Sequence, residues 1–124
     1  METVYETIMK NDLDTYLRKI LDTKFYHIGA YALDVDKRLL TLKDETVKLT
    51  KKELYVLAYF AANINKSLWR ADLVSVIWRE NNLYNSRSMD VYLCRIRKLL
   101  SKDSNIMFVN LHGKGFRMVV DKAE

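Results

Sequence analysis

The spacing of apolar residues changes twice along this chain, and few folds accommodate that order. From Tyr26 to Leu49 the period is close to two: Tyr31, Leu33 and Val35 alternate with small or charged residues, Leu40 and Leu42 follow, then Val47 and Leu49. Polar breaks of turn length, Asp36-Lys37 and Lys43-Asp44-Glu45, divide the stretch into three short antiparallel strands. From Thr50 to about Lys102 the period is helical, and from Ile106 to Val120 it is again that of strands. The expected class is α+β: an N-terminal antiparallel sheet, a helical middle and a C-terminal hairpin.

Thr50-Lys51-Lys52-Glu53 opens the helical middle as a capping box, the Thr hydroxyl accepting from the Glu53 N–H and the Glu carboxylate from the Thr50 N–H. The helix behind it is predicted to bury Leu54, Leu57, Ala58 and Ala61, with Val56 and Phe60 on its flank, and to end over Asn63 to Lys66. A shorter helix follows from about Arg70 to Trp78, burying Leu73, Ile77 and Trp78; residues 79–85 read as a polar loop. The third helix, capped by Asn85 or Ser86, is predicted to continue to about Lys102. At about 100° per residue, Met89, Leu93, Ile96 and Leu100 share one narrow sector, the core face. The opposite side carries Arg87, Val91, Cys94, Arg95, Lys98 and Lys102. The last strands, Ile106 to Leu111 and Phe116 to Val120, flank Gly113-Lys114-Gly115, a hairpin with a flexible, basic tip.

Residues 1–25 separate from the domain at 26–121. Leu13, Tyr16, Leu17, Ile20 and Leu21 mark one apolar helix face, with Asn11 or Asp12 as its cap. A lone amphipathic helix is unstable in water, so this face must pack on something, inside or outside the chain.

Composition removes several classes of function. A chain of 124 residues suits one domain. One cysteine, Cys94, forms no internal disulfide, and with only two histidines to join it no zinc finger or other metal site is expected. No apolar run reaches membrane-span length, and the first residues lack a signal peptide's basic start and apolar core, so a cytoplasmic location without membrane contact is expected. No carboxylate pair, nucleophile with base, or phosphate loop is present, so neither enzymatic activity nor a cofactor is expected. The net charge is +5, and residues 86–120, with seven basic and two acidic side chains, account for a net +5 by themselves.

Strands, three helices and a hairpin follow the order of a winged helix-turn-helix. A helix of about five turns with an apolar back and a cationic front suits the DNA major groove. Arg95 and Lys98 project where they reach base edges or phosphates, and Lys114 between two glycines allows close approach to the backbone. Against a merely solvated basic face, the pattern favours DNA binding.

Residues 28–120 resemble the C-terminal effector domain of OmpR/PhoB-type response regulators. The match runs in family order through Gly29, the strands at 33–50, the helix start Leu49-Thr50-Lys51-Lys52-Glu53, the Leu73…Ile77-Trp78 helix, residues 86–100 and the wing at 110–118. The family's recognition-helix pattern falls on Arg87, Asp90, Val91, Leu93, Ile96 and Arg97. The resemblance implies that Val91, Arg95 and Lys98 face the major groove. Arg87 at the helix start suits a phosphate, and Val91 either meets a thymine methyl group or is a tolerated surface valine. Asp90 is read as a structural partner for an arginine, Arg97 as structural or DNA-contacting, and Trp78 as structural. Lys102, His112, Lys114 and Arg117 are the candidate wing and DNA-backbone contacts. Where the family's wing usually has an arginine this chain has the shorter His112, which shifts that contact towards Lys114 or Arg117. Trp69 stands where a Ser or Thr cap is usual, and Leu99 where a lysine is.

The helix at 11–21 is similar to the last helix of a receiver domain. No other part of a receiver is recognisable and the chain has no proline, so it is expected to be a fragment, with a standalone regulator as the alternative. The implied function is a sequence-specific double-stranded DNA-binding regulator of a two-component system, bound in tandem to half-sites. Its partners are a receiver domain and sensor kinase, and RNA polymerase through Arg79, Glu80, Asn81, Asn82 and Leu83. The isolated domain is expected to be monomeric. The alternative is a winged-helix module whose basic helix binds an acidic protein.

Overall fold

The computed structural model describes residues 14–121. Leu13 and the expected caps Asn11 and Asp12 lie outside the described residues. Residues 14–22 are helical (α1) and are followed by a four-stranded antiparallel sheet in simple up-and-down order: β1 Phe25–Ile28, β2 Tyr31–Asp34, β3 Leu39–Leu42 and β4 Glu45–Lys48. Four strands stand where three were expected. The extra one arises because the chain turns at Gly29-Ala30, pairing Ile28 with Tyr31 and Phe25 with Asp34. This turn contains no charged residue and so gave no polar break. The register sets Tyr26, Leu33, Leu40 and Val47 in one row across the sheet, with Leu33 and Leu40 at its buried centre.

Helix α2 (Lys51–Ala61) begins with the expected capping box: the Glu53 N–H donates to Thr50 Oγ1 (3.2 Å), and the Thr50 N–H to Glu53 Oε1 (2.8 Å). It is the central helix, with Leu54 and every residue from Val56 to Ala61 buried. A short strand unseen in the sequence pattern, β5 (Ser67–Trp69), precedes α3 (Arg70–Trp78). With β6 (Ile106–Asn110) and β7 (Gly115–Val120) it forms a second antiparallel sheet in the order β5-β7-β6. Trp69 is the N-cap of α3 and makes no side-chain cap bond.

Helix α4 covers Leu83–Leu99, about one turn earlier than the sequence predicts. The cap is Asn82, whose side chain accepts from the Asn85 N–H (2.8 Å), while the Asn85 side chain donates instead to the Glu80 carbonyl (2.9 Å). The first turn escaped the periodicity because Leu83 and Tyr84 are 68% and 79% exposed, so their apolar character marks no core face. At the other end the Leu100 N–H closes on the Ile96 carbonyl (3.1 Å) and the Ser101 hydroxyl takes the Lys98 carbonyl (2.7 Å), which ends the helix before Lys102. Met89, Leu93, Ile96 and Leu100 are all buried, as their shared sector requires.

The apolar face of α1 packs within the chain. Leu17 and Ile20 belong to the same core as Leu57, Phe60 and Met89. Tyr16 donates to Asn63 Oδ1 (2.9 Å) and meets the Tyr59 ring edge-on (5.6 Å). The architecture is a winged helix-turn-helix preceded by a four-stranded sheet.

Candidate nucleic-acid interface

Three layers of sequence produce the exposed cationic surface. The buried sector of α4 fixes the rotation of the helix, which forces Arg87, Val91, Cys94, Arg95 and Lys98 outward, all exposed. Apolar Val91 is 52% exposed in the middle of this face. The Arg95 guanidinium lies over the Tyr92 ring (4.9 Å), one turn back on the same helix, a cation–π contact that uses none of its N–H donors. Arg87, Arg95, Lys98 and Lys114 have no ion-pair partner among the described residues, so their charge is not neutralised within the chain.

The wing is built on two unusual backbone positions. His112 and Gly113 both have positive φ (55° and 74°), the pairing that a tight hairpin with strand-compatible twist needs. The Gly113 N–H donates to Asn110 Oδ1 (3.0 Å), the Leu111 N–H to the Gly115 carbonyl (2.9 Å) and the Lys114 N–H to the Leu111 carbonyl (3.1 Å). The tip is thus a closed, hydrogen-bonded turn that carries His112 and Lys114 exposed. Gly115 serves another purpose: a Cβ there would lie 2.1 Å from the Leu68 carbonyl oxygen, so glycine lets β5 close on β7.

The remaining candidate residues are engaged within the fold. Asp90 pairs with Arg70 (2.8 Å), twenty positions away at the start of α3. The Arg97 guanidinium stands over the Phe108 ring (5.6 Å) on β6, and Arg117 donates to Ser67 Oγ (2.6 Å) on β5. Trp78 meets Tyr92 edge-on (5.7 Å) under the Lys52 ammonium (5.2 Å). Lys102 needs a correction of position. It lies beyond the last turn of α4, its N–H donating to the Tyr31 hydroxyl (3.2 Å) and its ammonium paired with Glu45. That places it on the N-terminal sheet, roughly 20 Å along the helix axis from the first turn of α4.

The expected polymerase-contacting loop is shorter than predicted. Arg79 ends α3 in a left-handed conformation (φ 71°) and pairs with Asp14 of α1 (2.7 Å). Glu80 and Asn82 brace the start of α4, Asn81 is exposed between them, and Leu83 is already helical. Sequence reasoning missed Arg70. Its partners Ser86, Asp90, Lys114 and Phe116 lie between 16 and 46 residues downstream, a separation that no local periodicity encodes.

The described residues hold no helix long and apolar enough to cross a membrane, and no cluster of side chains suited to a metal. Residues 44–118 match the family model described as transcriptional regulatory protein, C terminal. The chain is similar to the transcriptional regulatory protein RprY of Bacteroides fragilis, 36% identical over 86% of the chain and 45% of RprY. It spans about half the length of the curated relatives it matches. The fold is shared with the DNA-binding domain of E. coli CpxR (TM-score 0.69, 19% identity, 79% of this chain and 98% of that one). It is shared also with the DNA-binding domain of Klebsiella pneumoniae RstA, solved in complex with the RstA box (TM-score 0.65, 23% identity, 78% and 98%).

Proposed function

Because its residues 44–118 carry that match, the chain belongs to the family of C-terminal domains of transcriptional regulatory proteins, the effector domains of OmpR/PhoB-type response regulators, and on that premise we propose that it is a sequence-specific double-stranded DNA-binding regulator of a two-component system. One observation carries the reading: α4 buries one side completely and turns outward a cationic side that has no ion-pair partner among the described residues, beside a wing whose tip adds Lys114.

In this reading α4 enters the major groove. Arg87 takes a phosphate near the helix start, Val91 lies against a thymine methyl group, and Arg95 and Lys98 reach base edges or phosphates. Lys114 and His112 follow the flanking backbone. Lys102 and Arg117 reach DNA only by giving up the partners described above, so they contribute less, and Arg97, drawn towards Phe108 of β6, is structural or adds a contact at the edge of the face. Two copies occupy half-sites in tandem, and the free domain is a monomer. The loop at 79–82 with the exposed Leu83 and Tyr84 offers RNA polymerase an accessible apolar contact. A receiver domain, together with its sensor kinase, supplies the regulation. The site of action is the cytoplasm, and no catalytic step is assigned to the domain.

Selection of bound fragments from a genomic library tests the proposal. The expected result is a motif repeated at about one helical turn, bound about a thousandfold more tightly than random DNA at physiological salt. Fragments with no shared motif, or capture of an acidic protein and no DNA, would contradict it.

A further inference from the structure

Arg70, the first residue of α3, touches both elements that read DNA in the proposal above. Its backbone N–H donates to the Lys114 carbonyl at the wing (2.8 Å), and its guanidinium stands over the Phe116 ring of β7 (5.0 Å). On the other side Nη1 donates to Ser86 Oγ (2.9 Å) and to the Ser86 carbonyl (3.3 Å), while Nη2 pairs with Asp90 Oδ1 (2.8 Å). Ser86 and Asp90 are four residues apart, hence one above the other on α4. A planar guanidinium fork that engages both fixes the rotation and the axial position of that helix end together, which a lysine ammonium, a single point charge, does not do. Among the described residues no other side chain hydrogen-bonds the first two turns of α4 to α3 or to the wing.

We propose that Arg70 is the positioning residue that sets the distance and angle between the reading face of α4 and the wing. It thereby fixes which spacing between major-groove bases and flanking wing contact is bound. The role rests on the DNA-binding reading above, and Arg70 itself makes no DNA contact: its side chain is 23% exposed and its donors face inward to Ser86 and Asp90.

The test compares wild type with Arg70→Lys, Asp90→Asn and the double variant on three DNAs. These are the selected site, the same site with one base pair inserted between the helix-read bases and the wing flank, and random DNA. For wild type the insertion is expected to cost about tenfold, the scale of one misplaced base contact. For Arg70→Lys, affinity for the selected site falls by about tenfold, the insertion penalty shrinks below about threefold, and the salt slope on random DNA is unchanged because no phosphate contact is lost. Asp90→Asn behaves alike, and the double variant is no worse than either single one, as members of one unit do not add.

A readout without DNA accompanies these. The Arg70 amide, which donates to Lys114, exchanges about tenfold faster with solvent in Asp90→Asn while the Leu57 amide keeps its rate, since local opening is distinct from global unfolding. An unchanged insertion penalty, equal losses on selected and random DNA, a salt slope reduced by about one, or an unchanged Arg70 amide would each overturn the positioning role. Wild type that binds no DNA overturns the function, and this role with it.

Discussion

Arg95 is the residue on which base reading most depends. Its guanidinium lies over Tyr92 of its own helix and has no ion-pair partner among the described residues, which suits a bidentate contact to guanine. Arg95→Ala is expected to cost about 1–3 kcal/mol on the selected site and little on random DNA; equal losses on both would reduce it to a phosphate contact. The two wing glycines separate by mechanism. Gly115→Ala drives a Cβ into the Leu68 carbonyl and is expected to destabilise by about 3 kcal/mol. Gly113→Ala meets no atom within 4 Å and costs about 1 kcal/mol for its left-handed backbone alone. Denaturant midpoints at equal slope distinguish them. The outward position of Arg95 was legible from helical geometry, whereas the reason for Gly115 was not, because it depends on β5, a strand of three residues with no period of its own.

Tyr59 gives the fold a pH signature. Burial, then the neighbouring Tyr16 and Asp72, push its phenol up to about 12 from an ordinary 10.0. The folded chain keeps this proton where the unfolded chain releases it, so the contribution is complete below pH 10 and is lost as pH rises towards 12. Up to about 2 kcal/mol should disappear over that window, as measured by urea unfolding at pH 9 and 11.5. Tyr59→Phe should remove this part of the slope; a slope identical in the variant would contradict the assignment.

At the scale of elements, α1 and α4 are the informative cases. The amphipathic face of α1 announced that it needed a partner, and Leu17 and Ile20 have one in the core of the winged helix. Ile20→Ala is therefore expected to cost about 2–4 kcal/mol and to shift one cooperative unfolding transition; a variant with unaltered stability would mean that α1 is not held there. For α4 the apolar sector gave the correct rotation and the wrong start. Rotation is encoded in four buried residues, while the start depends on which asparagine turns its side chain back to the helix. Asn82→Ala should cost about 1 kcal/mol and Asn85→Ala less, an order that thermal unfolding can check and that the sequence reading would have reversed.

At the scale of the molecule, strand–helix–hairpin order and the charge of residues 86–120 were both legible, because periodicity and composition are summed over many residues. The distribution of that charge was not. The side chains of Arg97, Lys102 and Arg117 are tied to other elements, β6, β4 and β5, which leaves, among the described residues, Arg87, Arg95 and Lys98 on α4 and Lys114 on the wing as the cations of that region tied to no other element. The central claim is that these four form a DNA-binding surface, and a titration of double-stranded DNA at rising salt measures it most directly. Phosphate contacts by Arg87, Lys98 and Lys114, with Arg95 on a base, predict that log K falls with log salt at a slope near −3, and that Lys114→Ala makes the slope shallower by about one. Absence of DNA binding at low salt, or an affinity indifferent to salt, would contradict the account.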